Sequence, residues 1–190
     1  MHIQPSSKNV IDLISLLERN NLDECLSLLP SISGIVMTEV KKEKNDSFLK
    51  YSLHGYTAEG DIFFTMHINI NSNTLSMSSC TCSLIGFSEI EAQPLLLSLP
   101  RNKNPIQFLQ HLASYGEFCQ GRSKLFENIE NIHPFLVSSP SPSILNISNI
   151  STSAVKASFK LYPSFSTSQA LVTPTWSLLS VPSDSCTCLG

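Results

Sequence analysis

The stretch PIQFLQHLASYGEFCQGRSKLFENI, residues 105–129, decides how this chain folds. Phe108, Leu112, Tyr115, Cys119, Arg122, Phe126 and Ile129 follow alternating steps of four and three, and Ile106, Leu109 and Ala113 widen the stripe. Such spacing keeps one face of an α-helix apolar. Asn104 has the side chain of an N-cap, and Pro105 stands at the first helical position, where the missing N–H forfeits no bond. The pattern predicts a helix over 105–130. A coiled-coil seam needs only two positions in seven; this stripe is broader and predicts a helix laid across a sheet.

Upstream the period changes from helical to two. Ile35 to Val40 is apolar and partly β-branched. Leu49, Tyr51 and Leu53 alternate with Lys50, Ser52 and His54, and Phe64, Met66, Ile68 and Ile70 alternate with Thr65, His67 and Asn69. Alternation of this kind predicts strands with one face in a core. The separators KKEKND, TAEGD and NSN are short and rich in turn formers, which predicts hairpin links and an antiparallel meander of about four strands, the last from about Thr74 to Leu84. Lys41 to Lys44 then fall in a solvated hairpin loop. Ser88 and Glu91 have the form of a capping box, and Pro94 is expected to restrict the segment after it to a turn or irregular helix.

The two ends read differently. Val10, Leu13, Ile14, Leu17, Leu22, Cys25, Leu26 and Leu29 predict two short helices joined at Asn20 and Asn21. The serine- and proline-rich SSPSPSILNISNISTS reads as a linker. Beyond it Val155, Ala157, Phe159 and Leu161 alternate, as do Ala170, Val172, Trp176 and Leu178, predicting a hairpin whose second strand is marked as an edge by Pro174. The expected organisation is an N-terminal helical segment over 1–30, a sheet-and-helix domain over 31–134, a linker over 135–154 and a C-terminal hairpin extension over 155–190. The fold class is α+β.

Composition bounds the function. Apolar residues make up 42% and charged residues 14%, a globular balance, and a net charge of −3 supplies no general pull toward nucleic acid or an anionic membrane. The N-terminus lacks the basic-then-apolar order of a secretory signal, so the cytosol or nucleus is expected and six cysteines are expected to be reduced thiols. Cys80-Thr-Cys82 and Cys186-Thr-Cys188 together offer four thiolates to a metal. A single intervening residue on a strand aims both sulfurs at one face without a knuckle, however, and zinc pairs usually have two to four. His2, His54, His67, His111 and His133 stand singly without a nucleophile elbow, and there is no phosphate-binding glycine loop. His54 and His67 are expected on the solvated strand face, His111 beside the helix stripe as a packing residue. No catalytic residue, cofactor or metal is expected.

The order of elements, with IFFTMHININSNTLSMSSCTCS leading into the long helix, resembles an RWD domain of the type in the inner-kinetochore subunits centromere protein O and centromere protein P. That resemblance rests on an alternating strand ending in a turn, then a helix with a Tyr-x-Glu patch followed by arginine, here Tyr115, Glu117 and Arg122. The tail, ASFKLYP and LVTPTWSLLS, is also similar to a tryptophan-bearing hairpin found in some members. The resemblance implies an RWD-like sheet of about four strands covered by a long helix. It also implies a non-enzymatic kinetochore subunit at the centromere of nuclear chromosomes, paired with another RWD-type protein and further kinetochore subunits. No direct sequence-specific nucleic acid or membrane partner is expected. Leu13, Ile14 and Leu17 of the N-terminal stripe, Tyr115 and Arg122 of the helix, and Trp176 of the tail are the expected partner-binding residues. Two other readings stay open: an RWD docking module in ubiquitin transfer or signalling, and a cysteine-based metal-binding protein.

Overall fold

A computed structural model of the chain describes residues 34–71, 77–86, 89–102, 105–148, 155–166 and 171–180. The expected N-terminal helices, the Ser88 and Asn104 caps and the Cys186-Thr-Cys188 pair lie outside them. The described elements are β1 (Ile35–Lys44), β2 (Phe48–Thr57), β3 (Phe63–Asn71), β4 (Met77–Ile85), α1 (Glu89–Asn102), α2 (Pro105–Ile132), β5 (Val137–Ser141), β6 (Ile144–Ser148), β7 (Val155–Phe165) and β8 (Val172–Ser180). The fold is α+β, with two four-stranded sheets ordered β1-β2-β3-β4 and β5-β6-β7-β8. Two compact units divide these elements: the described residues of 34–117 and 165–171 form one, those of 118–164 and 172–180 the other.

In the first unit the meander is antiparallel throughout, as the alternation requires. Tyr51, Leu53, Phe64, Met66, Ile68 and Cys80 are buried on one face. Their cross-strand neighbours share that face, because Leu53 pairs with Met66 and Tyr51 with Ile68. The tight link between β2 and β3 is closed by Thr57, whose N–H donates to Ile62 O at 3.0 Å and whose buried hydroxyl accepts from Ile62 N at 3.2 Å. Here α2 approaches backbone to backbone: a Cβ on Gly60 would fall 2.5 Å from the Gly116 carbonyl oxygen. Gly60 also has a φ of +82°, which L side chains rarely adopt. The helix stripe is buried in this unit at Phe108, Leu109, Leu112, Ala113 and Tyr115.

Three expectations are corrected. Lys41 to Lys44 lie in β1, paired with Ser52 to Leu49, and the loop begins only at Asn45. Their charge does not expel them from the strand because Lys41 sits 2.9 Å from Glu39, Lys50 lies 3.8 Å from Glu43, and Lys42 lies over the Tyr51 ring. The segment containing Pro94 is a helix of 14 residues. Pro94 is exposed near the helix start and removes one backbone bond, while Ala92, Leu95 and Leu99 are buried and hold the turns together. The third concerns the supposed linker, which over 137–148 is two strands, β5 and β6. Ile144 to Ile147 pair in register with Lys160 to Ala157, so these strands extend the C-terminal hairpin into a sheet.

Candidate partner-binding surface

The second unit has a small interior. Phe126 from α2, Leu145 from β6 and Leu161 from β7 form its buried cluster, and Phe118, Ile129 and Val137 pack against them half-buried. Arg122 is buried here as well. Its guanidinium donates to the Leu161 carbonyl at 2.9 Å and lies 5.0 Å over the Phe118 ring, so it fastens α2 to β7. The planar guanidinium satisfies both contacts at once, which a lysine ammonium does not match.

Strand β8 forms one edge of this sheet. The Ser166 N–H donates to Leu171 O, which sets the alternation of β8: Pro174, Trp176 and Leu178 direct their backbone away from β7. Pro174 has no N–H to offer an incoming strand, so that half of the edge is blunted, whereas Trp176 and Leu178 present theirs. Trp176 reaches the Phe126 ring at 6.2 Å yet is 48% exposed, and Leu178 and Leu179 are 55% and 49% exposed. No charged residue occurs in β8. An uncharged, apolar edge of this kind is a template for a further strand.

The expected partner-binding residues are not brought together. Leu13, Ile14 and Leu17 lie outside the described residues. Tyr115 is wholly buried, with its ring 5.7 Å from Phe165 and its hydroxyl donating to Glu91 at 3.4 Å. Together with the burial of Arg122, this makes both helix residues framework groups within their own units. Of the described candidates Trp176 alone reaches the surface. The exposure of Leu178 and Leu179 was not legible, since alternation marks which residues share a face and not whether that face is covered.

The outer face of the first sheet is polar and ordered in rows. His54 Nδ1 bonds Thr65 Oγ1 at 3.1 Å, His67 Nδ1 bonds Ser52 Oγ at 3.0 Å, and Asn69 Nδ2 donates to Ser79 Oγ at 2.7 Å. The hydrogen bond from Lys41 holds the Glu39 carboxyl below its ordinary range, with the His54 charge adding when present. A shallow depression of about 610 Å³ at one end of this face is lined by Lys44, Phe48, Lys50 and Asn69 among others. These side chains partner one another across neighbouring strands. His111, on α2, is buried with Nδ1 3.0 Å from Gln107 O and Nε2 2.8 Å from Ser166 O, a packing and tethering position.

Cys80 and Cys82 face Ile68 and Met66 in register. Burial pushes the Cys80 thiol up to about 11 and the Cys82 thiol up to about 12, the latter raised further by Cys80 itself. Thiols so placed are poor nucleophiles at neutral pH. Among the described residues no group of three or more His, Cys, Asp or Glu side chains is placed to hold a metal ion, and no helix is long and apolar enough to cross a membrane. Comparison of the chain with protein-family models and with curated proteins finds no match.

Proposed function

We propose that this chain is a non-enzymatic protein-binding subunit that captures a partner along β8, and that it serves as an RWD-type scaffold at the kinetochore in chromosome segregation. The observation that carries the binding reading is the β8 edge, where Trp176, Leu178 and Leu179 are about half exposed on an uncharged strand. The kinetochore reading is supported by the resemblance around residues 105–129. Consistent with it, a four-stranded meander is followed by a proline-containing helix and then a long helix. In this reading the partner is another RWD-type protein, and the place of action is the centromere in the nucleus.

The test is affinity purification of the tagged chain from its native cells, with mass spectrometry of what accompanies it, repeated with Leu178→Asp. Leu178 is the most exposed of the three, so the substitution leaves the buried cluster intact while placing a charge on the edge. Recovery of inner-kinetochore subunits with the native chain, and their loss with a folded Leu178→Asp chain, is the expected result. Recovery of a ubiquitin-conjugating enzyme instead would move the chain to ubiquitin transfer. Binding that survives Leu178→Asp unchanged would remove β8 as the surface.

A further inference from the structure

Strand β5 has five residues and forms the other edge of the second sheet. Its pairing with β6 breaks between Ser138 and Ser141, so Ser139 and Pro140 sit in a bulge without partners in register. Proline brings no N–H, but the Ser139 N–H needs an acceptor. Glu130, near the end of α2, supplies it: Oε1 accepts the Ser139 N–H and also the Ser139 hydroxyl, the latter at 2.6 Å. One carboxylate thus fastens β5 where the ladder fails. Bonds to a carboxylate are charge-assisted and stronger than the neutral ladder bonds they replace.

Ser139 is half-exposed, is followed by Pro140, and lies on an extended edge segment flanked by exposed Ser138 and Pro140. A serine followed by proline in an extended backbone is the substrate form for kinases whose pocket accepts the ring and demands no N–H at the next residue. We propose that Ser139 is a phosphorylation site for a proline-directed serine/threonine kinase, and that the phosphate releases β5 from Glu130. Ser139 Oγ attacks the γ-phosphorus of ATP; the new O–P bond forms as the bond to the β-phosphate oxygen breaks, ADP leaves, and the hydroxyl proton passes to the kinase's base. The modified residue has lost its hydroxyl donor and carries about −1.5 to −2 charge against a carboxylate. Like charges in hydrogen-bond contact repel, so both bonds to Oε1 are lost and the bulge keeps only the ladder pairs that flank it. Ser141, followed by Pro142 but paired with Ile144 inside the ladder, is the internal comparison.

The experiment incubates the full folded chain with ATP and a proline-directed kinase, beside a peptide of residues 134–146. Site occupancy is read by mass spectrometry and amide exchange across 137–141. The expected result is phosphate on Ser139 in the folded chain, with β5 amide exchange accelerated about tenfold or more. In Glu130→Gln the amide oxygen still accepts but carries no charge to repel the phosphate, so the acceleration is expected to shrink. Absence of phosphate from Ser139 in the folded chain, whatever happens to the peptide, overturns the assignment. Phosphate on Ser139 with unchanged exchange, or with equal acceleration in Glu130→Gln, overturns the release.

Discussion

The first sheet buries Tyr51, Leu53, Phe64, Met66, Ile68 and Cys80 on one face, whereas the cluster of the second sheet is Leu145 and Leu161 against Phe126. Both sheets have four strands in sequential order. The difference lies in what the strands spend their alternate positions on. In β2 and β3 nearly every second residue is large and apolar; β5 reads Val-Ser-Ser-Pro-Ser and leaves its neighbours little to pack on. Strand pairing satisfies the backbone in either case, but apolar burial, at roughly 25 cal/mol per Å², supplies most of the driving force. The first unit is therefore the stability centre, and the second the adaptable one, with apolar side chains left at its β8 edge.

The largest effect is expected from Leu112→Asp. Leu112 is wholly buried on α2 in the first unit, and an unpaired carboxylate there should cost about 4 kcal/mol or more, unfolding or aggregating the chain. Thermal unfolding that matches the native chain would contradict the burial of the α2 stripe. A smaller loss, about 3 kcal/mol, is expected from Phe126→Ala in the second unit. Its readout is local, since Trp176 is the chain's single tryptophan and touches the Phe126 ring. Emission should shift to the red as the indole loses that cover, with the β1–β4 amides still protected from exchange. Loss of protection in both units together would erase the distinction between them.

Legibility in the sequence followed the same division. The helix at 105 was readable because its stripe is wide and Pro105 marks its start, and it runs to Ile132, two residues beyond the expected end. The meander was readable because one face is buried, which is the condition under which alternation carries information. Lys41 to Lys44 read as a loop because a charge run is a loop signal, while Glu39, Glu43 and the Tyr51 ring, which compensate it, are brought near only by folding. Strand β5 was hidden because serine and proline dominate it and its stabilising contact, Glu130 on Ser139, comes from another element, and the short apolar β6, Ile-Leu-Asn-Ile-Ser, was masked by the serine-rich stretches on either side. At the candidate surface the residue types were visible and their accessibility was not. Tyr115 and Arg122 are marked as partner-binding residues by the resemblance, yet both are consumed inside the fold. Trp176 is marked by the same resemblance and is half exposed on β8, a strand with a neighbour on one side only.

The smallest effect sharpens the comparison through pH. Cys80 and Cys82 belong to the first sheet, and the strands of the second carry no cysteine. An exposed thiol in the unfolded chain ionises near 9.0, while burial holds Cys80 protonated to about 11 and Cys82 to about 12. Between those values the folded chain binds more protons than the unfolded one, so stability falls as pH rises. The contribution is fully present below about pH 9 and is progressively lost as pH climbs through 11 and toward 12. Tyrosine and lysine ionise in the same window, so the informative quantity is a difference. The melting temperature of the native chain should fall more steeply from pH 9 to 11 than that of Cys80→Ala/Cys82→Ala. Parallel slopes would mean that these thiols titrate as freely folded as unfolded, and hence that the β4 face opposite Met66 and Ile68 is open to water.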